Sequence, residues 1–388
     1  MSSEIVLSNA EIVLEDEVMR GSVRIVDGVI AEISSDPNLP GQDMGGDFLM
    51  PGLVELHTDH LEQHYHPRPN RFWDPIPAVL AHDAQLAASG ATTVFDAVRI
   101  GSRPGEDTLS DSARKLIDAI TYAGDSDLLR ADHMVHLRCE VAAEDVVDTF
   151  DLVASHQRIK LVSLMDHTPG QRQYADVEAF RTYMVGKHNM SSAEFDSHVV
   201  ELHERALYSD RRRDEIAARA TARGITMAAH DDATRAHVAE SSALGVSISE
   251  FPTAVEAAQA AREAGQLILM GAPNIVRGGS YTGNVAAADL LRKDLLDILS
   301  SDYVPASPLQ AVFRLYGEGT ITLPQGAALV STNPAKAVGL TDRGVIAPGK
   351  RGDVIRVHAH DSAPPEQHPL GTAVPIVRGV WREGRRVG

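Results

Sequence analysis

Apolar residues run in short clusters along the whole chain, and the spacing between clusters changes twice. Over residues 4–50 the clusters are brief and close together: Ile5-Val6-Leu7, Ile12-Val13-Leu14 and Val23-Arg24-Ile25-Val26, broken by Asp27-Gly28 and Asn38-Leu39-Pro40. Asp-Gly between two such runs signals a hairpin, because the pair tolerates the positive φ of a tight antiparallel turn. The same texture returns in Val354-Ile355-Arg356-Val357 and from Val374 to Trp381. The two termini are therefore expected to build one small β-sandwich domain, residues 1–50 with 345–388, around an inserted domain at 51–344.

Between Pro51 and about Pro305 apolar runs alternate with helical stretches. Eight strands are predicted: Leu53–His57, Thr92–Ala97, Met134–Val141, Lys160–Met165, Thr226–Ala229, Ser247–Phe251, Leu267–Gly271 and Asp297–Ser301. Helices are expected between them, among others at Ala78–Ala88, Ser110–Ala123, Ala143–Ala154, Asp214–Arg223, Ala233–Leu244 and Ala254–Ala264. Eight strands alternating with helices predict an α/β fold, a (β/α)8 TIM-like barrel. The rival is a doubly wound open sheet, but no GxGxxG or P-loop follows any strand. The stretch from about 170 to 223 is longer than a barrel connection needs. It carries Arg172, Arg181, Lys187, His188 and Arg211-Arg212-Arg213, and is expected to form a helical insertion, either a solvated hairpin on the rim or a lid.

Composition narrows the function. A formal net charge of -18 argues against a nucleic-acid binder with a broad basic surface. A small anionic substrate stays open, because a metal or a few arginines can invert the field inside a cleft. The single cysteine, Cys139, allows no internal disulfide and suits a reducing compartment. The first residues lack a basic segment followed by an apolar core, and no run approaches a membrane span. A cytoplasmic enzyme with no membrane partner is expected.

Barrel active sites form at the C-terminal ends of the strands. Those ends carry His57 and Asp59, then Asp96, Glu140, Asp166 with His167, His230 with Asp231 and Asp232, Glu250, Asn274 and Asp302. Imidazoles and carboxylates converging at a mouth suit one or two divalent ions, with a carboxylate left over as general base. Each has a plainer reading: Asp96 as a helix cap, Glu140 in a buried ion pair, His230 as a core histidine. His133 and His136 are read as structural. A second group, Arg68, Arg172 and Arg277 with Ser280 and Asn284 in a Gly-rich loop, offers guanidinium, hydroxyl and backbone N–H donors of the kind that hold phosphate.

The segments PGLVELHTD (51–59) and NPAKAVGLTDRGVIAPGKRGDVI (333–355), with Asp302 after the eighth strand, resemble the amidohydrolase superfamily across essentially the whole chain. That family pairs a metal-binding barrel with a small β-sandwich built from both termini. More narrowly, HTDHLEQH (57–64), AVLAHDAQLAASGATTVFDA (78–97), LVSLMDHTPGQRQY (161–174) and GAPNIVRGGSYTGNVAA (271–287) are similar to the α-D-ribose 1-methylphosphonate 5-triphosphate diphosphatases of the carbon–phosphorus lyase pathway. The resemblance implies hydrolysis of that phosphorylated sugar phosphonate to the 5-phosphate and pyrophosphate, in phosphonate catabolism. Metal-bound hydroxide would attack the α-phosphorus with Asp302 as general base. It implies zinc, manganese or iron on His57, Asp59, Glu140, His167, His230 and Asp302, phosphates on the second group, and is compatible with a homo-oligomer.

The chain departs from the family pattern in four places. Asp59 replaces the second histidine of the usual HxH. Glu250 stands where many relatives have a histidine, and is not counted as a ligand. Lys160 lies at the start of its strand, unlike the carbamylated lysine that bridges two metals in many relatives, which leaves Glu140 or His167 as the substitute. His60 stands where the narrower family is expected to carry asparagine. Two other readings are weighed. A cyclic-amide or N-acyl hydrolase would want few cations in its pocket. A scaffold without metals would not need His57, Asp59, His230 and Asp302 together.

Overall fold

A computed structural model describes residues 3–68, 71–102, 109–170, 172, 181, 191–280, 283–360 and 373–388. The strands β1 (Glu4–Val13), β2 (Val18–Val26), β3 (Val29–Ser34), β4 (Gln42–Asp43) and β5 (Phe48–Pro51) open the chain. Eight more follow: β6 (Leu53–Thr58), β7 (Ala91–Ile100), β8 (Asp132–Glu140), β9 (Ile159–Met165), β10 (Thr226–His230), β11 (Ile248–Glu250), β12 (Leu267–Gly271) and β13 (Ile298–Ser300). The last are β14 (Val354–His360), β15 (Val374–Arg382) and β16 (Arg385–Arg386).

Both termini enter one mixed sheet, ordered β16-β15-β14-β5-β1-β2-β3, with β4 against β1. The Asp27-Gly28 hairpin is present between β2 and β3, both residues at positive φ. Trp381, Leu7, Ile12, Ile25 and Leu49 fill the core of this sheet. Antiparallel pairing of β5 with β14 ties the chain's beginning to its end immediately before the barrel starts.

Strands β6 to β13 form the eight-stranded parallel barrel in sequence order. Its strands are buried on both faces, which is why they read as near-continuous apolar runs. Phe95, Leu161, Ala228, Ile248, Leu269 and Ile298 pack together inside. Side chains two residues further along a strand share its face, so His230, Glu250 and Ser300 form the next layer toward the mouth. The ring closes where β6 meets the end of β13. Thr58 bridges Asp302, Asp302 N–H donates to His57 O (3.0 Å), and Asp59 N–H donates to Asp302 O (3.2 Å). The Glu55 carboxylate reinforces this seam, accepting from the N–H groups of His57 (2.8 Å) and Ser301 (2.7 Å). Between Glu55 and Thr58 the register of β6 on β7 slips by one residue. Such a bulge re-aims a side chain beside a site, and His57 lies within it.

In the insertion, helices Ser192–Ala206 and Ser209–Ala222 are described, while Lys187 and His188 lie outside the described residues. Arg212 and Arg213 are buried: Arg212 donates to Ala142 O and Arg205 O, and Arg213 pairs with Glu240. These arginines fasten the second helix to the barrel. Among the described residues no helix is long and apolar enough to cross a membrane.

Candidate metal centre and active site

Glu250, at the end of β11, is fully buried and joins two imidazoles. Its Oε1 accepts from His57 Nδ1 (2.7 Å) and its Oε2 from His230 Nδ1 (2.6 Å). Burial pushes the carboxyl up, but the His57 charge and the His230 bond outweigh it and hold Glu250 well below the usual range. A carboxylate that accepts from Nδ1 fixes the tautomer and leaves the lone pair on Nε2, the arrangement found behind metal-ligating histidines. Glu140 does the same for His167, accepting from its Nδ1 (2.6 Å) and its backbone N–H (3.0 Å).

The freed nitrogens converge on Asp231. His230 Nε2 lies 3.3 Å and His167 Nε2 3.9 Å from Asp231 Oδ2, a buried oxygen with no hydrogen-bond partner. Two lone pairs and a carboxylate oxygen facing one another require a proton or a cation between them. Burial lowers the His230 pKa, but Asp231 and Glu250 outweigh it and raise it above the ordinary imidazole value, the response of a ring nitrogen to a carboxylate held close. His167, His230 and Asp231 offer ligand atoms within 4.8 Å of one another. This donor set, neutral imidazoles with a carboxylate and a second layer of carboxylates, fits a divalent ion.

Asp231, Phe251 and Asp302 all have positive φ (60°, 54° and 54°). Aspartate tolerates this region; for Phe251 it is an outlier that the surrounding packing must hold. The Phe251 ring stands edge-on to His57 (4.9 Å between centroids) and His230 (5.3 Å) and walls the pair off. His136, on β8, packs edge-on to His57 at 5.2 Å and donates from Nδ1 to Leu56 O (2.9 Å). Burial takes its pKa down to about 3, so it is neutral at physiological pH.

Across the mouth, burial and then the Asp59 charge push the Asp302 carboxyl up to about 6, against the attraction of His57 and Arg138. Arg138 Nη1 lies 3.6 Å from Asp59 Oδ2. Its neighbour in register on β7 is Arg99, which reaches Glu140 Oε2 at 3.4 Å. Two guanidinium groups thus stand among the carboxylates.

The structure brings His57, Asp59, Glu140, His167, His230 and Asp302 to one mouth, but divides their roles. Glu140 stands behind His167, and Asp231, absent from the expected ligand set, faces the imidazoles. Glu250, not counted as a ligand in the sequence, joins His57 and His230 from behind. Arg172, expected to hold phosphate, has a buried guanidinium paired with Asp232 and with Glu240 (3.0 Å), so these carboxylates offset its charge. Arg277, exposed at the end of helix Ala272–Arg277, donates to Tyr303 Oη (2.9 Å) and Gly279 O (3.0 Å). Ser280 and Asn284 follow in the same loop, half-buried, and Arg68 is exposed on the first loop. Lys160 is exposed, away from the mouth. Asp96 lies within β7 and caps no helix; it bonds His82 and His133. Arg138 was missed, although His136, Arg138 and Glu140 alternate along one strand and share a face.

The amidohydrolase family model matches residues 153–387. The chain is 46% identical over 388 residues to the α-D-ribose 1-methylphosphonate 5-triphosphate diphosphatase of Escherichia coli strain K12, covering 98% of this chain and 100% of that protein. It is 25% identical over 390 residues to the imidazolonepropionase of Deinococcus deserti, covering 93% and 90%. Among solved structures, an enamidase superposes with a TM-score of 0.60 at 15% identity, over 99% of this chain and 96% of its own, a likeness of fold alone.

Proposed function

The chain belongs to the amidohydrolase family, and within it we propose that it hydrolyses α-D-ribose 1-methylphosphonate 5-triphosphate to the 5-phosphate and pyrophosphate. The end-to-end identity with the E. coli diphosphatase carries this reading. The mouth supports it: Arg138 and Arg99 supply positive charge beside the carboxylates, which an amide substrate would not need.

His57, Asp59, His167, His230, Asp231 and Asp302 are the residues that would hold one or two divalent ions. Such an ion lowers the pKa of bound water to about 7 and offsets phosphate charge. The chain's own groups do the rest. Asp302, with its carboxyl at about 6, is ionised at neutral pH yet basic enough to take the proton of the attacking water. The water oxygen bonds to the α-phosphorus, the bond from that phosphorus to the bridging oxygen breaks, and pyrophosphate leaves with the electron pair. Arg138 meets the charge that develops around the α-phosphate. Arg277, Ser280, Asn284 and Arg68 receive the distal phosphates, with Arg277 braced on Tyr303. Glu250 and Glu140 keep the imidazoles in the ligating tautomer.

Phosphorus NMR of the metal-loaded protein with this triphosphate tests the reading. Pyrophosphate from the wild type, and its loss in Asp302→Asn, is the expected result. Release of orthophosphate would place the attack at the γ-phosphate instead, and no turnover by a metal-loaded protein would overturn the assignment.

A further inference from the structure

A second histidine cluster lies beside the first loop of the barrel, built from residues that the proposed catalysis does not use. His60 is the residue before helix Leu61–Tyr65, His64 lies in that helix's last turn, and His82 comes from helix Pro75–Ala88. Their ring centroids are 5.0 Å (His60–His64), 5.9 Å (His64–His82) and 6.1 Å (His60–His82) apart. One ring nitrogen from each lies within 4.8 Å of the others.

The hydrogen bonds behind this cluster fix where its protons sit. His133 is fully buried between two carboxylates, with Nδ1 2.8 Å from Asp96 Oδ2 and Nε2 3.3 Å from Asp83 Oδ1. Its two ring nitrogens are thus each faced by a carboxylate oxygen. The remaining oxygen of Asp96, Oδ1, lies 2.7 Å from His82 Nε2. An ionised carboxylate has no proton to give, so His82 donates from Nε2, and the lone pair of its ring is on Nδ1. That Nδ1 is buried without a hydrogen-bond partner, in a side chain with no solvent exposure. His60 Nδ1 is likewise buried and without a partner. His64 places Nε2 3.2 Å from Gln85 Oε1, which leaves its Nδ1 as the lone-pair nitrogen.

We propose that His60, His64 and His82 form a second metal site, separate from the centre at His57, His167 and His230. It would take a transition-metal ion that prefers imidazole, such as zinc, cobalt or nickel, and would fasten the first loop to helix Pro75–Ala88. Three imidazoles with an open fourth position suit such an ion, and Asp96 behind His82 is the usual orienting carboxylate. Ligating nitrogens around tetrahedral zinc lie about 3.3 Å apart, a spacing that small rotations of the three rings reach. His82, Asp96 and His133 also lie within ligand range of one another, but hydrogen bonds already occupy the atoms that face each other there, so no ion is assigned to them.

The test is metal stoichiometry by mass spectrometry after zinc loading and gel filtration of full-length wild type, His60→Gln, His64→Gln and His230→Gln. The first two variants are expected to hold one equivalent fewer than wild type, and His60→Gln combined with His230→Gln to lose more than either alone. Equal stoichiometry and affinity in wild type, His60→Gln and His64→Gln would overturn the proposal. A check without substitution reads the modification of histidines by diethyl pyrocarbonate. Zinc should protect His64 in the wild type at least tenfold, and unchanged labelling of His64 in zinc-saturated protein would equally refute the site.

Discussion

Replacing Glu250 with glutamine isolates the link between hydrogen bonding and metal affinity. The carboxylate accepts two N–H bonds, from His57 at 2.7 Å and His230 at 2.6 Å, with no exposure to water. Glutamine has one carbonyl oxygen and one NH2, so it can accept from only one of the two rings. The other ring must take the opposite tautomer to accept from the NH2, which puts a proton on Nε2 and removes its ligating lone pair. The loss of negative charge behind both rings also lowers their basicity. Outer carboxylates of this kind are worth about 10–100-fold in metal affinity, or about 1.4–2.8 kcal/mol. Glu250→Gln should therefore weaken the metal dissociation constant by about that factor, measured by competition with a chelator of known affinity. Circular dichroism should show the barrel intact. Glu250→Asp, which keeps the charge but loses reach, should fall between the two. A folded Glu250→Gln protein with an unchanged metal constant would refute the tautomer argument.

Other outcomes follow from the same geometry. Arg138→Met removes a cation that favours the ionised form of Asp302, so the acid limb of the kcat/KM profile should move to higher pH. Arg172→Ala strands Asp232 without its buried partner, and urea melts should show a loss of about 3–5 kcal/mol, with the KM of the folded fraction little changed. His133 has a folded pKa of about 10 against an ordinary 6.5. Its stabilisation is fully present below pH 6.5 and is lost as pH rises through 10. Wild-type stability should decline across that window, and His133→Gln should decline less.

Strand positions were legible because a barrel strand, buried on both faces, is a compact apolar run between polar loops. All eight fell within a few residues of β6 to β13. The second was foreseen too short at its end: Arg99 interrupts the apolar run, yet it is inside β7, held by Glu140 on the neighbouring strand. The site was legible as a collection of residue types at strand ends. Roles were not, because they depend on which atom faces which. Glu250 differs from an ordinary buried acid only through bonds to residues 193 and 20 positions away. Arg172 looked available for phosphate because its partners, Asp232 and Glu240, lie 60 and 68 positions on. Arg138 was within reach of sequence reasoning, since its alternation with His136 and Glu140 already placed it inside the mouth.

The seam of the barrel has a temporal meaning. Asp302 and His57 are bonded through their backbones, and Glu55 reaches the amide of Ser301, 246 residues later. The proposed proton acceptor and the first imidazole are therefore strangers for most of the time the polypeptide is being synthesised. Until β13 has left the ribosome and docked, a growing chain can gather histidines but cannot line up the groups that would cut a triphosphate. Closure of the ring and readiness for chemistry arrive in a single event, so a chain interrupted before Asp302 would be silent, not half active.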